Sequence, residues 1–425
     1  MNNQSIRSPR LGEEYTRIDH PSGLTMLLYP MPGYSTAYAM FGTKYGSVDE
    51  SFQVNGQEGF TTVPSGIAHY LEHKMFESED GDTFARYAKI GASGNAFTSF
   101  DKTAYLFACS DHFQEALEIL LDSVTHPYFT KETVEKERGI IGQEIRMYDD
   151  DPEWACMFGL LQGLYHQHPV RVDIAGTVES ISHITAELLY QCYGTFYNLH
   201  NMVLTVAGNF TVEQVLAAAD KVLRPAEPQE IRRKTGVEPE SVFQKRTVKK
   251  MEVATPLFQI GFKSPDRGET ENFRSMILDE MLIDLIAGEM TPLYRELYHK
   301  GLINNGLDGE TMACRDCLCT LFSGESKDPD QVYERICQEI LRVKKEGLDE
   351  EMFARTKRAT YGRFISMFGK PDTVASVLMN TYFAGLTPYQ LLDLVAECTK
   401  EDLERRLAED FDPENSAISV VRSDA

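Results

Sequence analysis

The spacing of apolar and polar residues predicts a chain built from both strands and helices. Short apolar runs that follow or contain glycine, at 23–29 and 36–46, favour strands. Residues 112–124 instead carry apolar side chains at the three- and four-residue spacing of a helix. The same plan returns later, with a strand at 256–263, a helix at 271–288, strand signals at 309–324 and helices at 329–346 and 349–368. The fold class is therefore predicted to be α/β, of the α+β type, with two similar domains.

A charged, proline-rich stretch with few apolar residues separates the two sets of elements. It runs from Leu223 to Glu240 and has the composition of a linker. A chain of 425 residues also exceeds the usual size of a single hydrophobic core. We therefore predict a first domain at 1–224, a linker at 225–240 and a second domain at 241–425.

One helical pattern in the first domain surrounds a group of polar residues. Its apolar side chains recur every four residues, at Ile67, Leu71 and Met75. Ser65, just ahead of them, stands where a helix N-cap is expected. Residues three and four apart share one face of a helix, so His69, Glu72 and His73 project together.

The chemistry of this group points to a metal. Two neutral imidazoles one helical turn apart can bind one divalent ion, usually zinc. Glu72 would then lie beside a metal-bound water, where it could accept that water's proton and later deliver it to a leaving amine. The order His-x-x-Glu-His is the inverzincin signature. The alternative is a surface helix whose two histidines are solvated.

A third protein ligand is expected from the segment 133–147. Glu137 and Glu144 are seven residues apart, two helical turns, and therefore lie along one stripe. Four apolar residues indicate that parts of this helix are buried: Ile140, Ile141, Ile145 and Met147. A partly buried carboxylate needs a partner. Zinc would supply it for Glu144, and Glu137 would suit a supporting role that orients a ligand. In the alternative, both glutamates are solvated.

Together these two stretches resemble the insulinase/pitrilysin family of zinc metallopeptidases, which includes the mitochondrial processing peptidases. In that family the second glutamate of Glu-x6-Glu binds zinc, which implies Glu144 as ligand and Glu137 as the other active-site glutamate. The resemblance continues through 91–105, 168–169, 176–181 and 197–209. Within the family the chain looks closest to a bacterial branch associated with aminopentanol modification of elongation factor P.

A short strand is implied as the place where substrate binds. The segment Asn95-Ala96-Phe97-Thr98 is similar to the family's Asn-Ala-x-Thr strand, which lies beside the zinc and pairs with the substrate backbone. An extended peptide bound at a sheet edge gains main-chain hydrogen bonds whatever its sequence. Asn95 is expected to contact the backbone and Phe97 to line a side-chain pocket, although core packing would also account for a phenylalanine here.

The second half of the chain has no His-x-x-Glu-His motif and is predicted to be a degenerate copy of the first. The family usually carries there an arginine and a tyrosine, seven apart, that bind the substrate. Tyr298 stands at the arginine position and Asn304 near the tyrosine position. The resemblance therefore implies half of a clamshell that closes by dimerisation, with a heterodimer formed by a related chain lacking the zinc motif as one hypothesis.

The composition of the chain indicates which other partners and which location in the cell are expected. The net charge of −23 argues against nucleic acid or an anionic membrane as a main partner. The first residues lack the apolar core of a signal peptide, and no stretch reaches about 20 apolar residues, so we predict no membrane span and a cytoplasmic location. The eight cysteines are predicted to be reduced, and the cluster Cys314-Arg-Asp-Cys317-Leu-Cys319 to lie in a strand.

These inferences combine into one functional prediction. The chain is expected to be a zinc-dependent endopeptidase with one Zn²⁺, cleaving peptides or unfolded segments with a metal-activated water. His69, His73 and Glu144 are the predicted ligands, and Glu72 is the predicted proton acceptor. The alternative is a zinc-containing binding or maturation subunit of a heterodimer that is weak or inactive by itself.

Overall fold

The computed structural model describes residues 2–79, 81–304 and 306–423, and the chain forms two compact units. The first unit comprises Met1–Ile145, Asp173–Lys234 and Phe364–Tyr389. The second comprises Arg146–Val172, Thr235–Arg363 and Gln390–Ala425. The predicted division at 1–224, 225–240 and 241–425 follows chain order and differs from this partition, because each unit includes a segment from the other half of the chain.

The strands of the described residues are, in chain order, β1 (Asn2–Arg7), β2 (Glu14–Asp19), β3 (Thr25–Pro30), β4 (Ala37–Thr43), β5 (Ser51–Val54), β6 (Thr61–Thr62), β7 (Glu77–Ser78), β8 (Gly81–Asp82), β9 (Ser93–Thr98), β10 (Thr103–Cys109), β11 (Met202–Gly208), β12 (Ile231–Arg233), β13 (Arg246–Lys250), β14 (Leu257–Lys263), β15 (Leu307–Cys314), β16 (Cys317–Glu325) and β17 (Ser416–Arg422). The later strands confirm the strand predictions at 256–263 and 309–324.

The α-helices of the same ranges are α1 (Ile67–Lys74), α2 (Thr83–Lys89), α3 (Phe113–Thr125), α4 (Lys131–Asp149), α5 (Pro152–Leu164), α6 (Val178–Ser182), α7 (Ala186–Phe196), α8 (Val212–Val222), α9 (Glu269–Ala287), α10 (Pro292–His299), α11 (Pro329–Glu346), α12 (Glu350–Met367), α13 (Pro371–Phe383), α14 (Pro388–Glu397) and α15 (Lys400–Asp410). Four of them, α3, α9, α11 and α12, confirm helices predicted from apolar spacing. None of the described helices is both long enough and apolar enough to cross a membrane.

The first unit is built on a seven-stranded sheet with the order β1-β2-β3-β11-β4-β10-β9. Neighbouring strands are antiparallel except β3 and β11, which are parallel. Successive side chains of a strand point to opposite faces. In β3, Met26 and Leu28 accordingly enter one apolar core and Leu27 and Tyr29 another. The central strand β11 is accordingly buried at every position, because both faces of the sheet are covered.

Helices cover the two faces of this sheet. Helices α1 and α3 contribute Leu71 and Leu117 to the larger core, whereas α13 contributes Leu378 to the core of the opposite face. Among the described strands, β9 pairs with β10 alone and forms an edge of the sheet. The predicted linker is not wholly irregular, because β12 pairs antiparallel with β5.

The second unit contains a five-stranded sheet with the order β13-β17-β14-β16-β15. Its pairs are antiparallel except β13 with β17. Helix α5 packs on β13, β14 and β17, and α9 packs on β15 and β16. Cys314 and Cys317 are register partners that flank the hairpin turn, and all eight cysteines, which lie within the described ranges, are free thiols. Each unit thus holds a mostly antiparallel sheet packed with helices.

Helix α1 begins in a way that the sequence pattern does not indicate. The predicted N-cap at Ser65 is wrong: the N-cap is Gly66, with φ of 90° and no side-chain cap, and the Ser65 hydroxyl donates instead to Glu50. A Cβ at Gly66 would collide with the carbonyl oxygen of Ala175. The backbone of this turn is therefore pressed against a neighbouring loop, and only glycine fits there without strain.

We expect Gly66→Ala to lower the free energy of unfolding by about 2 kcal/mol or more, since alanine pays for the left-handed conformation and also meets the Ala175 carbonyl. Gly12→Ala is the matched control, because Gly12 has φ of 74° with nothing within 4 Å of an added Cβ. Urea unfolding measures both changes. Equal losses for the two variants would contradict the assigned close approach.

Candidate metal centre

Helices α1 and α4 bring two imidazoles and a carboxylate together. One ligand atom each of His69, His73 and Glu144 lies within 4.8 Å of the others. The Nε2 of His69 is 3.7 Å from Oε1 of Glu144, and the Nε2 of His73 is 3.4 Å from Oε2 of the same carboxylate. The structure therefore gathers the three side chains that the sequence predicted as metal ligands, and both histidines present the same ring nitrogen.

The seating of α4 against α1 depends on apolar contacts and on one buried hydroxyl. Val134, Ile141 and Ile145 of α4 belong to the same core as Leu71 of α1. The Tyr70 hydroxyl donates to the carbonyl oxygen of Val134. The sequence prediction was wrong for two other apolar residues of this helix, since the exposed fractions of Ile140 and Met147 are 47% and 61%. They lie four residues before and three residues after Glu144, which is itself only partly buried.

Glu137 contacts the far side of one imidazole. Its Oε1 is 3.0 Å from Nδ1 of His73, so the ring donates its Nδ1 proton to this carboxylate. Burial raises the pKa of Glu137, but the hydrogen bond to His73 and the nearby positive charges of His73, Lys74 and Lys136 together outweigh it, and the pKa is lowered. This contact fixes the ring and leaves the Nε2 atom of His73 facing Glu144, the orientation that a metal-binding histidine requires.

The two histidines have opposite electrostatic environments. Burial, followed by the neighbouring His73, lowers the pKa of His69 to about 4. Burial also lowers the pKa of His73, yet its hydrogen bonds to Glu137 and Glu144 overcome this and raise the pKa to about 10. The His69 ring is therefore held neutral, whereas the positively charged form of the His73 ring is stabilised by the carboxylates of Glu137 and Glu144.

The donor set fits a zinc ion. The Nε2 atoms of two imidazoles face the oxygens of one carboxylate, and such an arrangement requires a cation or a proton between nitrogen and oxygen. Imidazole nitrogen and carboxylate oxygen are both common zinc ligands, and three protein ligands leave one position open, as in catalytic zinc sites. The side chains of His73 and Glu144 remain 24% and 23% exposed, so solvent reaches this group.

Glu72 lies beside the donor group without belonging to it. Its side chain is mostly buried, and its Oε2 accepts a hydrogen bond of 2.6 Å from the Thr98 hydroxyl. Burial raises the pKa of Glu72, although Thr98 and His73 oppose the change. The Glu72 carboxylate is thus more basic than an exposed glutamate. It lies close enough to His73 and Glu144 for their charges to affect its pKa.

The predicted substrate residues are divided between the two faces of β9. Exposure alternates along this strand: Asn95 and Phe97 are exposed, whereas Ala96 and Thr98 are partly buried. Asn95 accepts the Ala96 N–H through its own Oδ1 at 2.9 Å. Only Thr98 reaches Glu72, which the sequence did not indicate, because alternation does not reveal which face of a strand meets α1.

Tyr298 and Asn304 belong to the second unit. The Tyr298 side chain is 48% exposed on α10. The Asn304 amide donates to Glu325 at 2.9 Å. Neither supplies the cationic group that the family's arginine would provide.

A fold of mixed sheets and helices, with a His-His-Glu donor group beside a further carboxylate, is that of a protein able to bind a metal ion. The family model described as insulinase (peptidase family M16) matches residues 61–178, and the model of the M16 inactive domain matches residues 183–360. The chain belongs to this peptidase family, M16.

Individual relatives agree with this assignment. The chain is 38% identical to the uncharacterized zinc protease YmfH of Bacillus subtilis (strain 168), over 94% of each chain. It is similar to the structure of an M16-like peptidase from Alicyclobacillus acidocaldarius, with a TM-score of 0.91, 34% identity and coverage of 99% and 98%. Pitrilysin shares the fold, with a TM-score of 0.74 and 18% identity, and the match covers 99% of this chain but 46% of pitrilysin. The part of pitrilysin that shares this fold is thus about half of that longer chain.

Proposed function

We propose that the chain is a zinc-dependent endopeptidase that cleaves peptides or unfolded segments. The observation that carries the proposal is the convergence of His69, His73 and Glu144, with the buried carboxylate of Glu72 next to them. These four residues supply three ligands and one proton acceptor, the minimum for hydrolysis by a metal-activated water. The zinc protease names of relatives such as YmfH support zinc as the metal.

Each side chain has a distinct task in this proposal. A zinc ion held by His69, His73 and Glu144 would polarise a carbonyl group and acidify a water molecule. Glu72 accepts the proton of the attacking water and passes it to the nitrogen of the departing amine. Glu137 keeps the His73 ring in the orientation that exposes its Nε2.

The substrate is proposed to bind as an added strand. Strand β9 forms the edge of the seven-stranded sheet, and its last residue contacts Glu72. An extended peptide paired with this edge would place its main chain next to the donor group, largely independently of its sequence. Asn95, Ala96 and Phe97 remain the predicted contacts of that peptide.

The proposed working form is a dimer. This chain matches 46% of pitrilysin, which supports the idea that a second chain supplies the other half of a clamshell. Tyr298 and Asn304 replace the substrate-binding pair of the family, so a related chain that carries this pair and lacks the zinc motif is the proposed partner. Isolation from native cells should recover such a chain; recovery of only self-associated protein would contradict the heterodimer.

The peptidase activity is tested with an unbiased peptide mixture and mass-spectrometric detection of new termini. The chain is stripped with a chelator and divided into portions with and without added zinc, each with and without the copurifying partner. We expect cleavage only with zinc. Cleavage by the stripped protein would refute the metal dependence, and absence of cleavage in every zinc-loaded sample would refute the peptidase.

The second candidate is a zinc-containing binding or maturation subunit, and the missing arginine and tyrosine favour it. In that case zinc persists, but no peptide is cleaved even with the partner present. The relation to the branch associated with elongation factor P modification remains a prediction. It is tested in cells, where loss of that modification in a Glu72→Gln strain would indicate catalysis and its survival would indicate a scaffold.

A further inference from the structure

We propose that Thr98 is a positioning residue, which holds the Glu72 carboxylate in place and ties it to strand β9; this inference rests on the proposed role of Glu72. The resemblance to the family implies that Thr98 binds substrate. In the structure its hydroxyl donates instead to Glu72. Strand β9 would then serve two purposes, since the element proposed to hold the peptide also orients the proton acceptor.

The contact between Thr98 and Glu72 is short and shielded from water. The Thr98 hydroxyl donates to Oε2 of Glu72 at 2.6 Å, within the range of a charge-assisted O–H···O⁻ hydrogen bond. Glu72 is 8% exposed, so water compensates little of the cost of its burial. Within the described ranges, Thr98 is the sole hydrogen-bond donor to this carboxylate. The position of Glu72 therefore depends on this one hydroxyl.

The Thr98 hydroxyl is itself held in place by the neighbouring strand. Thr98 is the register partner of Thr103 in the β9–β10 pair, and their hydroxyl oxygens are 3.3 Å apart. Thr103 is fully buried and donates to the carbonyl oxygen of Tyr45 at 2.9 Å. The intervening loop is closed by the Ser99 N–H, which donates to the carbonyl oxygen of Lys102 at 2.8 Å. The Thr98 hydroxyl thus lies at an end of the β9–β10 pair that is held in place by these hydrogen bonds.

The Thr98 hydroxyl is not available as a hydrogen-bond donor to a substrate. A threonine hydroxyl has one proton to donate, and in Thr98 that proton goes to Glu72. A peptide paired with the edge of β9 would bond to main-chain groups, so it does not need this hydroxyl. Displacement of a catalytic group by about 1 Å can cost about 10²-fold in rate. Loss of the Thr98 hydroxyl should accordingly act on the rate of reaction and not on peptide affinity.

Two substitutions separate these roles. Thr98→Val removes the hydroxyl and keeps the side-chain shape, whereas Thr98→Ser keeps the hydroxyl. For a peptide cleaved by the parent protein, we expect Thr98→Val to lower kcat by about 10²-fold with KM and zinc content unchanged, and Thr98→Ser to restore most of the rate. A raised KM with an unchanged kcat would instead return Thr98 to substrate binding.

A second measurement does not depend on cleavage. Crystal structures of the zinc-loaded parent, Thr98→Val and Thr98→Ser proteins are compared at the Glu72 side chain. We expect one Glu72 conformation in the parent and in Thr98→Ser, and a displaced or multiple conformation in Thr98→Val. An unchanged Glu72 in Thr98→Val would overturn the inference. If the parent cleaves nothing with its partner, the proposed function fails, and the structures still decide the role of Thr98.

Discussion

Replacement of Glu72 by glutamine should remove peptide cleavage and leave the zinc content of the chain unchanged. The amide has the shape of the carboxylate and can still accept the Thr98 hydrogen bond, but it cannot take a proton from water. We expect kcat to fall by about 10²- to 10⁴-fold, the usual contribution of a general base. Cleavage rates and metal analysis on the same preparation measure the two effects.

A matched control for Glu72→Gln is available on the same stretch of chain. Glu79 is exposed, and Glu79→Gln makes the same chemical change outside the donor group. This variant should cleave and bind zinc like the parent. Undiminished cleavage by Glu72→Gln would show that another group accepts the proton, and loss of zinc in Glu72→Gln would show that Glu72 is itself a ligand.

Three glutamates of helix α4 provide the second large prediction. Glu144→Gln should lose both zinc and cleavage, because an amide is a far weaker zinc ligand than a carboxylate. Glu137→Gln should keep the metal with an affinity reduced by about 10- to 100-fold, since it loosens the His73 ring without removing a ligand. Glu135→Gln, at an exposed position of the same helix, should change neither quantity.

Zinc affinity in this series is measured by competition with a chromophoric chelator, and circular dichroism verifies that each variant is folded. The order of the three effects is the test. If Glu137→Gln lost the metal and Glu144→Gln retained it, the assignments of ligand and supporting residue would have to be exchanged. Equal affinity in all three variants would mean that the metal is bound elsewhere or not at all.

Helix α1 shows which structural features can be predicted from the local spacing of residues. The spacing of His69, Glu72 and His73 places them on one face of any helix, so their proximity follows from 3.6 residues per turn. The pattern does not determine how the helix starts. Gly66 is the N-cap because the backbone at this position lies against Ala175, more than a hundred positions later in the sequence. A rule based on neighbouring residues cannot detect such a contact.

The roles of the two glutamates of α4 cannot be predicted from residue spacing. Glu137 and Glu144 share a stripe, and spacing alone does not distinguish a ligand from a supporting residue. Resemblance to a family assigned these roles in advance. The physical distinction comes from the packing of α4 against α1, which brings Glu144 to the Nε2 atoms and Glu137 to Nδ1 of His73.

The sequence by itself determined the α/β class, the main helices and strands, and the chemistry of the metal motif. These features depend on periodicity and on residue types close together in the chain. Only the tertiary structure decided that β9 is an edge strand, that Thr98 contacts Glu72, and that residues 146–172 and 364–389 join units from the opposite half of the chain. Each depends on packing between segments far apart in sequence, and apolar spacing carries no information about which faces meet.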